Sequence, residues 1–324
     1  MRKKDFFYSN QINEKIITID CLDFLNNSKY FIDHLNRIFK EKNYKFIIDT
    51  NNPDYVLYDA FGCQHIDSKY NNSIKIAYFS ENIIPDFNDA DYALSQAHII
   101  YFDRYFKYPS FIWRLNNFKN YNIVKIREEV LRHPIREKFC AAVISNNQSF
   151  SLFRLNFIKE LNKYKKVDMG GLVFNNIGAQ IKNKIEFLSS YKFSISMENS
   201  EGDGYVSEKI LESFIAGTIP IYYGNYMIDE YINPKAYILI KGEKDLKKKI
   251  EYIIKIDNDN ELYKTLLNES IFVFNNIVEK IEKEKEQFFL IFLRIIKIYL
   301  KGKIWKIQIQ NVLYKMNNLK DKKK

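Results

Sequence analysis

Residues 193–224 read FSISMENSEGDGYVSEKILESFIAGTIPIYYG and contain two strand-like runs with a helix between them. Phe193–Met197 is an apolar run of strand length, and the polar residues Glu198–Ser200 follow it directly. The spacing of apolar residues predicts a helix over Ser207–Ala216, and Ile219–Tyr223 returns as a second strand. A strand, a crossover helix and a further strand in this order predict a βαβ unit in a parallel sheet.

The turn between the first strand and the helix contains Gly202 and Gly204, and Ser207 is the predicted N-cap of the helix. Backbone N–H groups and the positive end of the helix dipole favour a phosphate at such a turn. Lys209 in the first helical turn adds a positive charge, and Glu208 could accept hydrogen bonds from ribose hydroxyls. These residues alone leave two interpretations open with similar weight: a nucleotide site, or a plain crossover with capping residues.

Strand-like and helix-like runs alternate along the rest of the chain as well. Such alternation is typical of α/β proteins with parallel sheets covered by helices, and 324 residues are enough for two domains. The further predicted strands are Lys45–Asp49, Tyr55–Tyr58, Ile74–Phe79 and Phe139–Ile144, and the further predicted helices are Tyr30–Glu41, Leu152–Tyr164 and Asp245–Ile256.

A charged stretch, residues 124–136, precedes the second group of strands and contains Pro134. We place a domain boundary there, which predicts an N-terminal domain over residues 1–133 and a C-terminal domain over residues 134–278. Residues 279–324 form a separate region, in which apolar and basic residues interleave.

The basic residues are concentrated in this last region. Residues 294–324 contain ten Lys or Arg and one acid, Asp321, against a net charge of +10 for the whole chain. This pattern fits a basic amphipathic helix on an anionic membrane surface, or a terminal helix packed on the body with a solvated lysine end. The near-neutral remainder and the lack of a nucleic-acid motif argue against a nucleic-acid partner.

The cysteines and the N-terminus bear on the compartment. Cys21, Cys63 and Cys140 are odd in number and widely spaced, which argues against both a disulfide framework and a zinc site. The basic N-terminus has no apolar run behind it, so no signal peptide is predicted, and the longest apolar patch is too short to span a bilayer. We expect a cytoplasmic protein, peripheral on the inner face of a bacterial membrane.

The segment ENSEGDGYVSEKI, followed by AGTIPIYYG and by Asn233-Pro234-Lys235, resembles the donor-binding signature of the α1,3-fucosyltransferases, glycosyltransferase family ten. Bacterial members that build Lewis antigens are especially similar. The resemblance continues upstream through AYFSENIIPDFNDADYALS (77–95), Asp103-Arg104-Tyr105 and KFCAAVISN (138–146). It covers residues 75–240, and several separate motifs in the expected order make it specific.

The resemblance implies a GT-B fold, in which two Rossmann-like domains face each other across a cleft. It implies an enzyme that transfers L-fucose from GDP-fucose, with inversion, to a GlcNAc-containing glycan such as N-acetyllactosamine in a lipopolysaccharide O-antigen. Donor would bind the C-terminal domain and acceptor the N-terminal one. An inverting transfer needs one base to deprotonate the acceptor hydroxyl, and Glu81 matches the base that is proposed for the family.

The remaining site residues follow from the same match. Arg154 and Lys209 correspond to cations that contact the diphosphate, where fixed positive charge stabilises the leaving group. Asn199, Tyr205 and Glu208 correspond to residues around the guanosine, its ribose and the diphosphate, and Glu198 is a candidate contact to fucose hydroxyls.

Taken without the resemblance, several of these residues have ordinary structural interpretations. Glu81 could be a surface carboxylate at a turn, Arg154 a solvated residue of a first helical turn, and Lys209 a lysine on a helix surface. The two Asp-x-Asp pairs, at 89–91 and 257–259, lie away from the glycine turn. The resemblance implies that protein cations neutralise the diphosphate, so no obligatory metal and no cofactor are expected.

Three departures from the family pattern bear on these expectations. Ser80 stands where many members have glycine, Ser196-Met197 where many have Cys-Phe, and the heptad repeats of some bacterial members are not evident. The first 70 residues give no firm match. Two alternatives therefore remain: a related GDP-sugar glycosyltransferase with another donor or acceptor, and a non-catalytic sugar-nucleotide or glycan-binding protein.

Overall fold

The computed structural model describes residues 15–23, 44–108, 136–145 and 152–274, with further single positions among 29–36, at 111 and among 279–295. Two parallel β-sheets dominate these residues. Every strand pair in both sheets is parallel. The alternating pattern of the sequence predicts this arrangement, because parallel neighbours need crossover connections.

The N-terminal sheet has six strands in the order β2-β1-β3-β4-β5-β6. Its central strands are buried on both faces, as expected of a parallel sheet covered by helices. Its strands are β1 (Lys15–Leu22), β2 (Tyr44–Ile48), β3 (Tyr55–Tyr58), β4 (Ile74–Phe79), β5 (Tyr92–Ser95) and β6 (Tyr105–Lys107).

The C-terminal sheet has five strands in the order β11-β10-β9-β7-β8. Cys140, Phe193 and Ile221 lie in its main hydrophobic core, together with Ile253 and Leu267 of the covering helices. Its strands are β7 (Lys138–Ala142), β8 (Val167–Met169), β9 (Tyr191–Met197), β10 (Ile219–Tyr223) and β11 (Ile238–Leu239), and the helices are α1 (Leu152–Leu161), α2 (Lys184–Leu188), α3 (Lys209–Ile215), α4 (Glu243–Asn258) and α5 (Asn260–Asn268).

The register of the strands sets the position of the residues that follow them. Met197 pairs with Tyr223, so the segments after β9 and β10 leave the sheet side by side. Phe79 pairs with Ser95, which places the segments after β4 and β5 next to each other in the same way. The carboxyl ends of parallel strands are where ligands bind in open α/β sheets.

The structure also bears on the other predicted elements. The strands over 55–58, 74–79 and 219–223 have the predicted bounds, and the other predicted strands and helices differ by a few residues at their ends. Strands β1, β5, β6, β8 and β11 were not predicted. The helix predicted over Tyr30–Glu41, the domain boundary at residues 133 and 134, and the tail over 279–324 lie largely or wholly outside the described residues.

Candidate active site

Glu198 follows β9 and is the centre of a buried ionic network. Its side chain is 1% exposed, and its Oε1 accepts a hydrogen bond from the backbone N–H of Ser207 at 2.8 Å. Its Oε2 accepts from the Ser207 hydroxyl at 2.6 Å and from Lys209 Nζ at 3.1 Å. The network joins the end of β9 to the start of α3 and holds the Lys209 ammonium in one place.

Ser207 was the predicted N-cap, and its hydroxyl accepts a long hydrogen bond from the Lys209 N–H at 3.5 Å, but the N-cap position lies one residue later. Helix α3 begins at Lys209, its N-cap residue is Glu208, and the side chain of Glu208 makes no capping hydrogen bond. The Ser207 hydroxyl donates to Glu198 and accepts from Lys209 Nζ at 2.8 Å. Glu198 was expected to contact fucose, which stays a prediction; in this structure both of its oxygens accept hydrogen bonds from Ser207 and Lys209.

Arg154 and Asn199 meet at the neighbouring strand ends. Arg154 is the third residue of α1, only 6% exposed, and its Nη1 donates to Asn199 Oδ1 at 3.2 Å. Burial lowers the pKa of the Arg154 guanidinium and the nearby Glu198 charge opposes that effect, but an arginine remains protonated in any case. The alternative of a solvated arginine is therefore wrong, because this side chain is buried.

Tyr205 connects the glycine turn to Glu81 on the opposite sheet. The Tyr205 hydroxyl donates to Glu81 Oε2 at 3.2 Å, and Tyr205 is 3% exposed. Burial raises the pKa of Tyr205 well above its ordinary value, and the charges of Glu198, Glu81 and Glu208 raise it further. The hydroxyl therefore stays protonated and can serve as a hydrogen-bond donor to Glu81 at neutral pH.

Further hydrogen bonds join the two sheets around this contact. Asn82 Nδ2 donates to Ser200 Oγ at 2.9 Å and to the Glu201 carbonyl at 2.8 Å. The His98 N–H donates to the Asp203 carbonyl at 2.7 Å. The turn over residues 200–206 is therefore fixed to the segments that follow β4 and β5.

Gln96 links the Glu81 segment to the same turn. It is 1% exposed, its Nε2 donates to the Ser80 carbonyl at 2.7 Å, and its Oε1 accepts from the Val206 N–H at 3.2 Å. Gly204, with a φ of 91°, lies so close that a Cβ there would collide with the Gln96 carbonyl oxygen. The need for glycine at this turn thus comes both from its positive φ and from the close contact with Gln96.

A group of ionisable side chains lies at the ends of β1 and β3, beside Glu81. Asp59 follows β3 and is 8% exposed. Burial raises the pKa of Asp59 to about 6, and the charges of Glu81 and Asp23 also raise it. The hydrogen bond from the Ala60 N–H lowers this pKa and so opposes part of the rise. His65 stacks on Tyr58 with ring centroids 3.7 Å apart, and its Nδ1 lies 3.8 Å from Asp23 Oδ2. These residues lie at the carboxyl end of the N-terminal sheet.

Three residues of this site, Asn82, Gln96 and Asp59, were not predicted from the sequence. Asp59 could have been found, because it is the first polar residue after the predicted strand Tyr55–Tyr58. Asn82 could also have been found, because it follows Glu81 in the motif at residues 77–95. Gln96 carried no such signal, since its partner Val206 is 110 residues away in the sequence.

Two charged residues that the sequence motifs contain, Arg104 and Asp257, make contacts within their own domains. Arg104 donates to the carbonyls of Ala90 and Asp91, at 2.6 and 2.7 Å. Asp257, at the end of α4, forms ion pairs with Lys165 and Lys192 at 2.6 and 2.9 Å. These contacts account for Arg104 and Asp257 as parts of the framework.

Two features are absent from the part of the chain that the structure describes. No group of three or more His, Cys, Asp or Glu side chains there is arranged to hold a metal ion. Within the same residues no helix has the length and apolar character needed to cross a bilayer.

The architecture has close counterparts among solved structures. Crystal structures of an α1,3-fucosyltransferase, free, with GDP and with GDP-fucose, superpose with TM-scores of 0.68, 0.66 and 0.65. Sequence identity to them is 22–23%, and the free form covers 87% of this chain and 91% of its own. The protein has two parallel sheets whose carboxyl ends face each other. Together with the similarity to these crystal structures, that arrangement defines a GT-B fold.

Sequence comparisons extend the likeness to the family. The model described as "Glycosyltransferase family 10 (fucosyltransferase) C-term" matches residues 133–287, and that of the "Alpha-(1,3)-fucosyltransferase FucT N-terminal domain" matches residues 19–114. Together they cover most of the chain. The protein belongs to glycosyltransferase family 10.

Individual relatives are similar over part of their length. The α-(1,3)-fucosyltransferase FucT of Helicobacter pylori is 30% identical over 246 residues, which are 67% of this chain and 51% of that protein. The human 4-galactosyl-N-acetylglucosaminide 3-α-L-fucosyltransferase 9 is 30% identical over 144 residues, 43% of this chain and 39% of that protein. The chain thus spans about half, or less, of these relatives.

Proposed function

We propose that this protein is an inverting α1,3-fucosyltransferase that transfers L-fucose from GDP-fucose to a GlcNAc-containing glycan such as N-acetyllactosamine. The observation that carries the proposal is the hydrogen bond from Tyr205 to Glu81 Oε2 at 3.2 Å. It brings a carboxylate from the acceptor-side sheet against the turn that also carries Asn199, the partner of Arg154. The proposed base and the proposed phosphate-binding group thus both contact one short segment, residues 199–205.

The proposed chemistry is a single displacement. The Glu81 carboxylate takes the proton from the acceptor hydroxyl while the hydroxyl oxygen bonds to C1 of fucose. The bond between C1 and the β-phosphate oxygen breaks, and GDP leaves with the electron pair. Attack on the face opposite GDP inverts the configuration at C1.

The donor side of the site suits a departing diphosphate. Negative charge grows on the β-phosphate as the bond to C1 breaks, and a cation fixed beforehand stabilises that charge without reorganisation. Arg154 is held by Asn199, and Lys209 is held by Glu198 and Ser207. In the proposal Arg154, Asn199, Tyr205, Glu208 and Lys209 bind the nucleotide, and no metal takes part.

The test is release of GDP from GDP-fucose, measured with and without N-acetyllactosamine. We expect the acceptor to stimulate release in the wild type, and Glu81→Ala to lose on the order of 10²–10⁴-fold in that rate with GDP affinity unchanged. The matched control is Glu251→Ala, which removes an exposed carboxylate of α4.

Two results would contradict the proposal. Release that does not depend on acceptor in the wild type, despite tight GDP binding, would favour a binding protein or another acceptor. Faster release with a different GDP-sugar than with GDP-fucose would favour a related glycosyltransferase.

The proposal includes a cellular setting. A lipopolysaccharide acceptor would be made at the inner face of a bacterial membrane, and the basic residues 294–324 would attach the enzyme to that anionic surface. Co-sedimentation with vesicles of anionic lipid should be lost in a truncation that ends near Lys285. Equal partitioning of the two proteins would refute the membrane attachment.

A further inference from the structure

Two cavities lie next to each other at the carboxyl end of the C-terminal sheet. The smaller, of about 210 Å³, is lined by residues at the start of α1 and the end of β9, among them Asn199. The larger, of about 620 Å³, lies beyond the ends of β9, β10 and β11, and we call it the side cavity. Glu201 and Tyr223 line both, so the two cavities are direct neighbours.

The base lies close to where the cavities meet. Asn82, the residue after Glu81, donates a hydrogen bond to the Glu201 carbonyl at 2.8 Å. A fucose that is attacked near Glu81 would therefore lie close to both cavities, because Glu201 lines each of them. The smaller cavity is on the side of Arg154 and Asn199, which are the groups suited to the diphosphate.

The charges of the side cavity do not suit a nucleotide. Its charged lining residues are Glu201, Asp203 and Lys241, which give a net charge of −1. A diphosphate would be repelled there, whereas an uncharged ligand would not be. A volume of about 620 Å³ lies in the usual range of small-ligand sites, roughly 300–1,000 Å³.

The polar and aromatic groups of the side cavity suit a sugar. Tyr226 is 68% exposed, so its ring is available to the C–H face of a pyranose. Its backbone is fixed, because Asn225 Oδ1 accepts from the Met227 N–H at 2.9 Å and Asn225 Nδ2 donates to Asp203 Oδ1 at 3.2 Å. Carboxylates and amides beside an aromatic ring match the hydroxyls and apolar faces of a saccharide.

The side cavity also faces the acceptor-side sheet. The short helical segment Tyr226–Glu230 approaches the end of β6, where Lys107 Nζ lies 3.7 Å from Glu230 Oε2. On its other side, Asp203 accepts a hydrogen bond from His98. A chain of sugars bound beside Glu81 can therefore continue into this space.

We propose that the side cavity binds the uncharged saccharide units of the acceptor beyond the one that receives fucose, with Tyr226 as the stacking residue. The inference rests on the proposed transferase function and specifies its acceptor as an oligosaccharide. The C-terminal domain would then bind both substrates, with the nucleotide on one side of the fucose and the extended acceptor on the other.

The experiment compares acceptor KM values for N-acetyllactosamine and for the tetrasaccharide with two such repeats. For Tyr226→Ala we expect a rise of about five- to tenfold in KM for the tetrasaccharide and a smaller rise for the disaccharide. The KM for GDP-fucose and the Kd for GDP should change by less than twofold. Tyr226→Phe, which keeps the ring, should resemble the wild type, as should Tyr252→Ala, which removes a partly exposed tyrosine of α4.

Other outcomes overturn the inference. Equal effects on both acceptors, or none, would show that the side cavity does not hold the extra units. A weaker GDP affinity in Tyr226→Ala would assign the cavity to the nucleotide.

A separate readout distinguishes failure of the proposed function. If the wild type transfers fucose to neither acceptor, tetrasaccharide binding in the presence of GDP is measured by calorimetry. Binding that Tyr226→Ala weakens would support the site without the transferase activity, and no binding by the wild type would refute both.

Discussion

The carboxyl ends of the two sheets share one topology and differ in charge. In the C-terminal sheet, Arg154 and Lys209 are held by Asn199 and by Glu198 with Ser207. In the N-terminal sheet, the same edge presents Asp59 and Glu81. We call Arg154 and Lys209 the cationic edge, and Asp59 and Glu81 the anionic edge. Fixed cations stabilise a leaving diphosphate and a carboxylate can accept a proton, so the few residues that follow each strand set the chemistry more than the strands themselves do.

After the loss expected for Glu81→Ala, the largest effect is expected at the cationic edge. Arg154→Ala removes a buried guanidinium beside Asn199, and we expect kcat/KM for GDP-fucose to fall on the order of 10²–10³-fold. Arg154→Lys keeps the charge but not the planar fork, so its activity should lie between the two. Steady-state kinetics and GDP calorimetry measure both variants.

A matched control for this change lies on the same helix. Lys159 is exposed on α1, and Lys159→Ala should leave kcat/KM within about twofold. If Lys159→Ala and Arg154→Ala were equally active and stable, the phosphate would not be bound by a specific cation, and the contrast between the two edges would lose its chemical meaning.

A smaller effect on the rate, with a clear effect on stability, is expected from Glu198. Glu198→Gln leaves Lys209 beside a neutral amide in a largely buried place, and breaking such a pair costs about 3–5 kcal/mol when both groups are desolvated. Lys209 is 19% exposed, so we expect the lower part of that range. The Tm should fall, and the KM for GDP-fucose should rise about tenfold because Lys209 loses its fixed position.

The control is another ion pair of the same helix. Glu212 pairs with Lys184 at 2.5 Å, but their side chains are 20% and 29% exposed. Glu212→Gln should cost about 0–1 kcal/mol, as partly exposed pairs do, and should leave the KM for GDP-fucose unchanged. An unchanged donor KM in Glu198→Gln would mean that Glu198 supports the fold without positioning Lys209 for the donor.

The sequence predicts the sheets better than it predicts the cleft. Apolar runs such as Ile74–Phe79 and Ile219–Tyr223 mark buried strands, because a strand covered on both faces needs apolar residues throughout. The three-residue strand β8 is too short for such a signal. Strand β1 did carry one, in the β-branched run Ile16–Ile19, but it was not predicted.

Candidate site residues could be named where they match the family pattern, as Glu81, Arg154 and Lys209 do, and their roles stay predictions. Contacts between residues of the two sheets could not be predicted. That Tyr205 would donate to Glu81, 124 residues away, depends on how the two sheets face each other. No periodicity or spacing in the sequence encodes that arrangement, which comes from contacts such as that of Gln96 with Val206.

The smallest effect is expected at the anionic edge, in the dependence of stability on pH. Burial raises the pKa of Asp59 to about 6, while an aspartate in the unfolded chain titrates near 3.9. Between about pH 4 and pH 6 the native state therefore binds more protons than the unfolded state, and the free energy of unfolding falls as pH rises. The contribution of Asp59 to stability is fully present below about pH 4 and is lost as pH rises through 6.

Asp59→Asn removes this titration. We expect the Tm of the variant, relative to that of the wild type, to rise by roughly 2–4 °C between pH 4 and pH 7. Asp89→Asn changes an exposed aspartate of the same domain, and its Tm should change with pH as that of the wild type does. If the Tm of Asp59→Asn also changes with pH as that of the wild type does, then Asp59 is not held in an unfavourable charged state at neutral pH. The edge that carries Glu81 would then accommodate a second negative charge without strain, and the difference between the two edges would lie in Arg154 and Lys209 alone.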